Sequence, residues 1–201
     1  MREEIVREST TLFLHYGFKS VTMDEIAQHM RISKKTIYIH FPNKEQLVEE
    51  SAITHFEYII GRIKTISNQA KDPIIELYQL KKEATQHLSN EKNSPQYQLQ
   101  KFYPKIYVKL KKREFKELGK FFSNSIRKGI ETGLFRTDLD VDFVTRIFFN
   151  GIRGISDIEL FPIENYKIDQ LMIAFSEYHL RAISTTAGIE KLEKYKQEVN
   201  L

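Results

Sequence analysis

The sequence predicts an all-α protein: an N-terminal three-helix domain followed by a larger helical region, about nine or ten helices in total. Three observations predict it. Apolar residues recur at three- and four-residue spacing along most of the chain, strand-type alternation is nearly absent, and capping residues, prolines and glycines punctuate the chain at helix-length intervals. A chain of 201 residues is long enough for two small domains with cores of their own, and the pattern divides them at residues 1–48 and 49–201.

The first element follows from Ile5, Ser9, Leu12, Phe13 and Tyr16, which share one face of a helix over 3–16, with Gly17 placed where a left-handed residue ends it. Three start signals come next. Val21-Thr22-x-x-Glu25-Ile26 combines an N-cap Thr, a Glu three residues on and a flanking apolar pair, the pattern of a capping box with a hydrophobic staple. Ile32-Ser33 with Ile37 repeats the cap and staple, and Asn43 with Gln46, after Pro42, gives a third cap. Short helices over 23–30 and 34–40 result, and a longer one starts near 44 and runs through Leu47, Ile53, Phe56, Ile60 and Ile63 to about 68. Pro73, Pro95, Pro104, Gly133 and Pro162 divide the remainder into helices near 74–89, 95–102, 105–131, 141–158 and 166–184, with a short charged one at 187–198.

Composition removes several function classes. With no Cys, disulfides, thiolate metal sites and Cys nucleophiles are excluded. The start, MREEIVREST, lacks the apolar stretch of a secretory signal, and the longest apolar runs, such as Ile147-Phe148-Phe149, are too short to span a bilayer. A soluble, cytoplasmic protein without membrane contact is expected. The six histidines, His15, His29, His40, His55, His87 and His179, show no metal-binding spacing, and no GxSxG, phosphate-binding loop or GxGxxG occurs. No cofactor, metal or catalytic residue is therefore expected.

The net charge is +4, which favours a polyanionic partner. The charge is unevenly placed. Residues 1–50 carry seven Lys/Arg against eight Asp/Glu, whereas 101–128 carry ten Lys/Arg against two Glu. Nucleic-acid binding by residues 1–50 would therefore depend on where individual side chains sit and not on overall charge.

Two short capped helices joined by about three residues match the helix-turn-helix arrangement, in which the second helix enters the DNA major groove, although two short helices also meet this way in α-proteins that bind no DNA. Stepping about 100° per residue from Ile37, Phe41 falls on the same inward side. Lys35, Thr36 and Ile39 then point outward, with Tyr38 and His40 on the flanks. Lys34 and Lys35 occupy the first turn, where the helix dipole disfavours cations, and Ile39 is an apolar residue facing away from its core. A phosphate backbone would account for the lysines and a thymine methyl group for the isoleucine.

The run from Phe13 through Gly17-Phe18, Val21-Thr22-Met23-Asp24-Glu25-Ile26-Ala27 and Ile32-Ser33-Lys34-Lys35-Thr36-Ile37-Tyr38-Ile39-His40-Phe41-Pro42-Asn43-Lys44 to Leu47 resembles the DNA-binding domain of tetracycline-repressor (TetR) type regulators. The similarity is dense over about residues 5–50. It implies an operator-binding transcriptional regulator, most often a repressor. Ser33, Lys34, Lys35, Thr36, Tyr38, Ile39 and His40 would face the groove and its phosphates, and Thr22 and Lys44 would hold phosphates. Two departures stand out. The turn carries Met30-Arg31 where a small residue and Gly are usual, so either the turn differs or Arg31 contacts a phosphate. Lys35 stands where a small residue is common, which implies a shifted base preference.

The same resemblance implies a C-terminal region that binds an effector and dimerises. The helices over 141–158 and 166–184 are the most apolar, and Phe148, Gly151, Ile155, Leu171, Phe175 and Tyr178 are the candidate dimer contacts, with intramolecular core as the competing reading. Phe102, Tyr103, Tyr107, Phe121 and Phe122 are the candidate effector contacts within 74–131, with plain core packing as the competing reading, and the lysines of 101–120 form either a solvated face or a surface that suits an anionic effector. The expected partners are thus a palindromic duplex operator, a small-molecule effector and a second copy of the chain. Two other functions stay open: a helical ligand-binding or scaffold protein whose helix-turn-helix no longer binds DNA, and a small helical enzyme.

Overall fold

The computed structural model describes residues 1–70, 72–85, 95–157, 159–162 and 164–198. Among them are ten helices: α1 (Arg2–Tyr16), α2 (Met23–Met30), α3 (Lys34–His40), α4 (Lys44–Gln69), α5 (Pro73–Thr85), α6 (Pro95–Phe102), α7 (Pro104–Glu131), α8 (Val141–Ile155), α9 (Ile168–Ile183) and α10 (Thr186–Glu198). The all-α expectation holds, and α2, α3 and α4 start at the expected caps. Residues 86–89 of the helix expected over 74–89, with His87, lie outside the described residues.

Two compact units emerge. The first contains Met1–Tyr58 together with α6 and α7 as far as Glu114; the second contains α4 from Ile59, α5, and the chain from Phe115 onward. The boundary expected from the sequence, at residue 48, falls inside α4, and the same expectation puts α6 in the C-terminal part. In the structure Leu99 of α6 and Ile106 of α7 are buried in the first core, with Phe13, Ile26, Ile37, Phe41 and Leu47. Only long-range packing makes that assignment, since α6 has no local signal tying it to residues 1–50.

In the first unit α1 ends at Gly17, whose N–H donates to the Phe13 carbonyl at 2.9 Å. Gly17 has φ 95° and ψ 148°, a positive-φ conformation as expected but outside the left-handed helical basin. A Cβ there would fall on the side-chain amide of Gln98, so glycine serves both the backbone angle and the approach of α6.

The second unit is built around Phe122 and Phe148, stacked with ring centroids 4.7 Å apart, and Phe175, stacked on Phe148 at 5.8 Å. Gly151 lets α8 approach α9: a Cβ there would meet the Phe175 ring at about 2 Å. Among the described residues the carboxylates of Asp72, Glu76 and Glu83 and the amine of Lys81 are buried in the same unit. Glu76 accepts from Ser67 Oγ at 2.6 Å and Lys128 Nζ at 3.3 Å, and Glu83 pairs with Arg62. Lys81 donates to Nδ1 of His179 at 2.7 Å. Among the described residues no helix is long and apolar enough to cross a membrane.

Candidate DNA-binding site

α2 starts at Thr22, whose Oγ accepts from the Glu25 N–H at 3.2 Å while the Glu25 carboxylate accepts from the Thr22 N–H at 2.7 Å. These bonds complete the capping box, and the Thr22 donors hold the Glu25 carboxyl below its usual range. α2 ends in a Schellman motif. The Ile32 N–H donates to Ala27 O at 3.0 Å and the Arg31 N–H to Gln28 O at 3.1 Å. That geometry puts Arg31 at φ 55°, ψ 39°, and among the described residues it is the one non-glycine residue with positive φ. The unusual turn sequence therefore keeps the left-handed turn that glycine would provide, at a cost of about 1 kcal/mol. The Arg31 side chain is exposed.

Ser33 caps α3, accepting from the Thr36 N–H at 3.1 Å. The helix is fixed from below by Ile37 and Phe41, both essentially fully buried. Arg2 adds a brace: its guanidinium lies 4.9 Å from the centre of the Phe41 ring and pairs with Glu50 of α4. Anchored this way, α3 exposes Lys34, Lys35, Tyr38 and Ile39, with Thr36 and His40 half-buried at the edges. Ile39 is 70 % exposed.

Two side chains have internal partners the sequence did not reveal. Lys34, which lacked a structural rationale, donates to Asp24 of α2 at 2.7 Å, an interaction that raises its pKa. Asp24 sits in the first turn of α2, where the helix dipole favours it, and only the turn brings α3 beside it. Lys44, at the start of α4, donates to the Lys19 carbonyl at 2.9 Å and lies 5.9 Å from the Phe13 ring centre. Burial lowers its pKa. An ammonium has three donors, so the Lys19 bond leaves two.

The residues expected around an effector fall in different units. Phe102, Tyr103 and Tyr107 belong to the first, where Tyr103 and Tyr107 pack on the helix-turn-helix core and Tyr103 Oη donates to Phe18 O at 3.4 Å. Phe121 and Phe122 belong to the second core. Of the residues expected at a dimer contact, Phe148 and Ile155 are buried within the chain, Gly151 and Phe175 pack on each other, Leu171 is half-buried and Tyr178 is exposed. Phe143 and Ile147 of α8 and Ile173 of α9 are the other large apolar side chains exposed on these two helices. An amphipathic pattern marks apolar residues without saying which side of a two-sided helix stays open, so the sequence selected several inward ones.

Residues 5–51 match the family described as bacterial regulatory proteins, tetR family. The chain is 29 % identical over 148 residues to the HTH-type transcriptional repressor KstR2 of Mycolicibacterium smegmatis, covering 72 % of each chain. Its fold resembles that of a Saccharomonospora viridis protein in complex with choline, with TM-score 0.75, 21 % identity and coverage of 92 % and 97 %. It also resembles FadR from Bacillus subtilis in complex with stearoyl-CoA, with TM-score 0.67, 17 % identity and coverage of 89 % and 97 %. The matched span holds both helices of the motif, their caps and the exposed face of α3. Residues 5–51 are thus a tetR-type helix-turn-helix, and the protein is a DNA-binding transcriptional regulator.

Proposed function

We propose that the protein represses transcription by binding a palindromic operator as a homodimer, and that a small molecule bound in its C-terminal region releases it. One observation carries the DNA contact: α3 is locked inward by Ile37 and Phe41 while Lys35, Tyr38 and Ile39 stand in solvent. Lys35, Thr36 and Ile39 read base edges, and Ser33, Lys34, Tyr38 and His40 meet the groove walls and phosphates. Thr22, Arg31 and Lys44 hold phosphates around them. Repression is the activity in the name of the KstR2 relative, and the cytoplasm is where such a protein meets DNA.

The exposed apolar side chains Phe143, Ile147, Ile173 and Tyr178 support a second copy packed on α8 and α9. Two-fold symmetry doubles a site that a single short helix reads too briefly, and it places the two recognition helices about 34–36 Å apart or at a multiple of that. The neighbours bound to choline and to stearoyl-CoA support control by a small molecule. The second unit offers a cleft of about 460 Å³ lined by Ile66, Gln69, Ala70, Ile75, Gln79, Lys82 and Glu83, as well as the aromatic cluster that includes Phe121 and Phe122. A ligand acts only if it binds one arrangement of the dimer better than the other. A coupling of about 1–3 kcal/mol suffices for a switch.

The test is selection of duplexes from a random-sequence pool, followed by footprinting on the DNA upstream of the protein's own gene. A two-fold symmetric selected site supports the reading. Failure to enrich any sequence refutes it and leaves the alternative of a helical ligand-binding protein.

A further inference from the structure

We propose that the DNA-contacting surface extends beyond the helix-turn-helix to Lys19 and Lys101, which together hold a backbone phosphate in the duplex flanking the groove that α3 reads. The inference rests on the DNA-binding reading and adds to it a contact from α6, outside the residues that match the family.

Lys19 lies in the α1–α2 turn and Lys101 in the last turn of α6. Both side chains are exposed, and both approach one aromatic ring: Lys19 Nζ is 4.5 Å and Lys101 Nζ 5.5 Å from the centre of Phe102. The two ammonium groups are thus within about 10 Å of each other. Lys101 also donates to Tyr97 Oη at 3.3 Å. Among the described residues neither lysine has a carboxylate within ion-pair distance, whereas Lys109, Arg113 and Lys120 of the neighbouring α7 pair with Glu49, Glu57 and Glu117. The ring faces attract the cations but do not cancel their charge, so the pair keeps a local excess that suits an anion.

The turn is held in place by the protein itself. Gln98 accepts from the Lys19 N–H at 3.1 Å, Tyr103 Oη donates to Phe18 O, and Lys44 Nζ donates to Lys19 O. That last bond puts the turn against the N-terminus of α4, where the operator phosphates are expected. Glu25 is a nearby carboxylate, and the Thr22 backbone and hydroxyl already engage it. DNA supplies an anion at every nucleotide along a continuous line, so a duplex seated on α3 and Lys44 runs on toward adjoining cations without new sequence requirements.

The test uses the full-length chain and a fluorescent duplex that the wild-type protein selects from a random pool, extended by ten base pairs on each side. Lys19→Gln/Lys101→Gln should bind about tenfold more weakly near 0.1 M salt. Its log K against log salt plot should be shallower by about one unit, as for one lost phosphate contact. The selected base sequence should not change. Lys19→Arg/Lys101→Arg should restore both values, and removing the extensions should erase the difference between wild type and the Gln variant. Equal affinity and equal slope for wild type and the Gln variant on the extended duplex would overturn the proposal while leaving operator recognition by α3 intact. A wild-type protein that selects no duplex would overturn the DNA-binding reading itself.

Discussion

Acidification should destabilise the second unit through one side chain, His179. Its Nε2 lies 3.3 Å from the Val144 carbonyl and its Nδ1 2.7 Å from Lys81 Nζ. These partners assign the ring proton to Nε2, leaving Nδ1 as the acceptor. Burial, reinforced by the neighbouring Lys81, lowers the His179 pKa from 6.5 to about 3, and burial holds Lys81 well below the usual lysine range. The folded pKa lies under the unfolded one, so below pH 6.5 the unfolded chain carries a proton that the folded chain does not. Stability from this residue is complete above pH 6.5 and falls as the pH drops, by about 1.4 kcal/mol per pH unit until the folded pKa is reached. The loss is about 2 kcal/mol at pH 5. Lys81 acts in the same sense, its cost being relieved as pH rises toward the unfolded lysine value. Hydrogen exchange by mass spectrometry on peptides from α5, α8 and α9 at pH 7, 6 and 5, corrected for intrinsic exchange, measures the local opening energy. The control is Lys81→Met/His179→Phe, which removes both titrating groups together. The wild-type opening energy should fall by at least about 2 kcal/mol more than the control between pH 7 and pH 5, the His179 share alone. Parallel losses in the two proteins would refute the assignment of a neutral His179 bonded to Lys81.

Further predictions concern the DNA-reading surface and α8. Ile39→Ala should relax preference at one base pair by about 1 kcal/mol; an unchanged profile in a binding-site selection would mean that α3 presents a different face. Arg31→Gly should raise the unfolding free energy by about 1 kcal/mol, because glycine adopts the left-handed turn without strain, yet weaken operator binding and flatten its salt slope by about one unit. Urea unfolding and salt-dependent anisotropy read the two effects, and a gain in stability with unchanged binding would remove Arg31 from the contact surface. Ile147→Asp/Tyr178→Asp should give a folded monomer with poor operator affinity; sedimentation equilibrium showing a dimer at micromolar concentration would place the interface elsewhere. Gly151→Val puts a side chain where the Phe175 ring lies and should cost about 1–3 kcal/mol in thermal unfolding. A neutral result would show that α8 and α9 have room to separate.

Local chemistry determined much of this protein. The Thr22–Glu25 box, the Ser33 and Asn43 caps and the inward pair Ile37 and Phe41 are set by neighbours three or four residues apart, and those helices begin where their caps stand. The TetR-type assignment was legible for the same reason: its motif lies within one continuous stretch. What the tertiary structure decided depends on contacts between distant segments. A turn had to bring Asp24 to Lys34 before that lysine acquired an internal partner. Leu99, Gln98 and Phe102 joined the first unit because α6 packs there, though nothing within α6 specifies it. His179 looked like an isolated polar residue on an apolar helix until α5 delivered Lys81 across 98 positions of sequence. In α8 and α9 the apolar pattern covered more than one side of each helix. Packing then decided that Phe148 faces inward while Tyr178 stays in solvent, since burial is a property of the neighbours a residue meets and periodicity records only how often an apolar residue recurs.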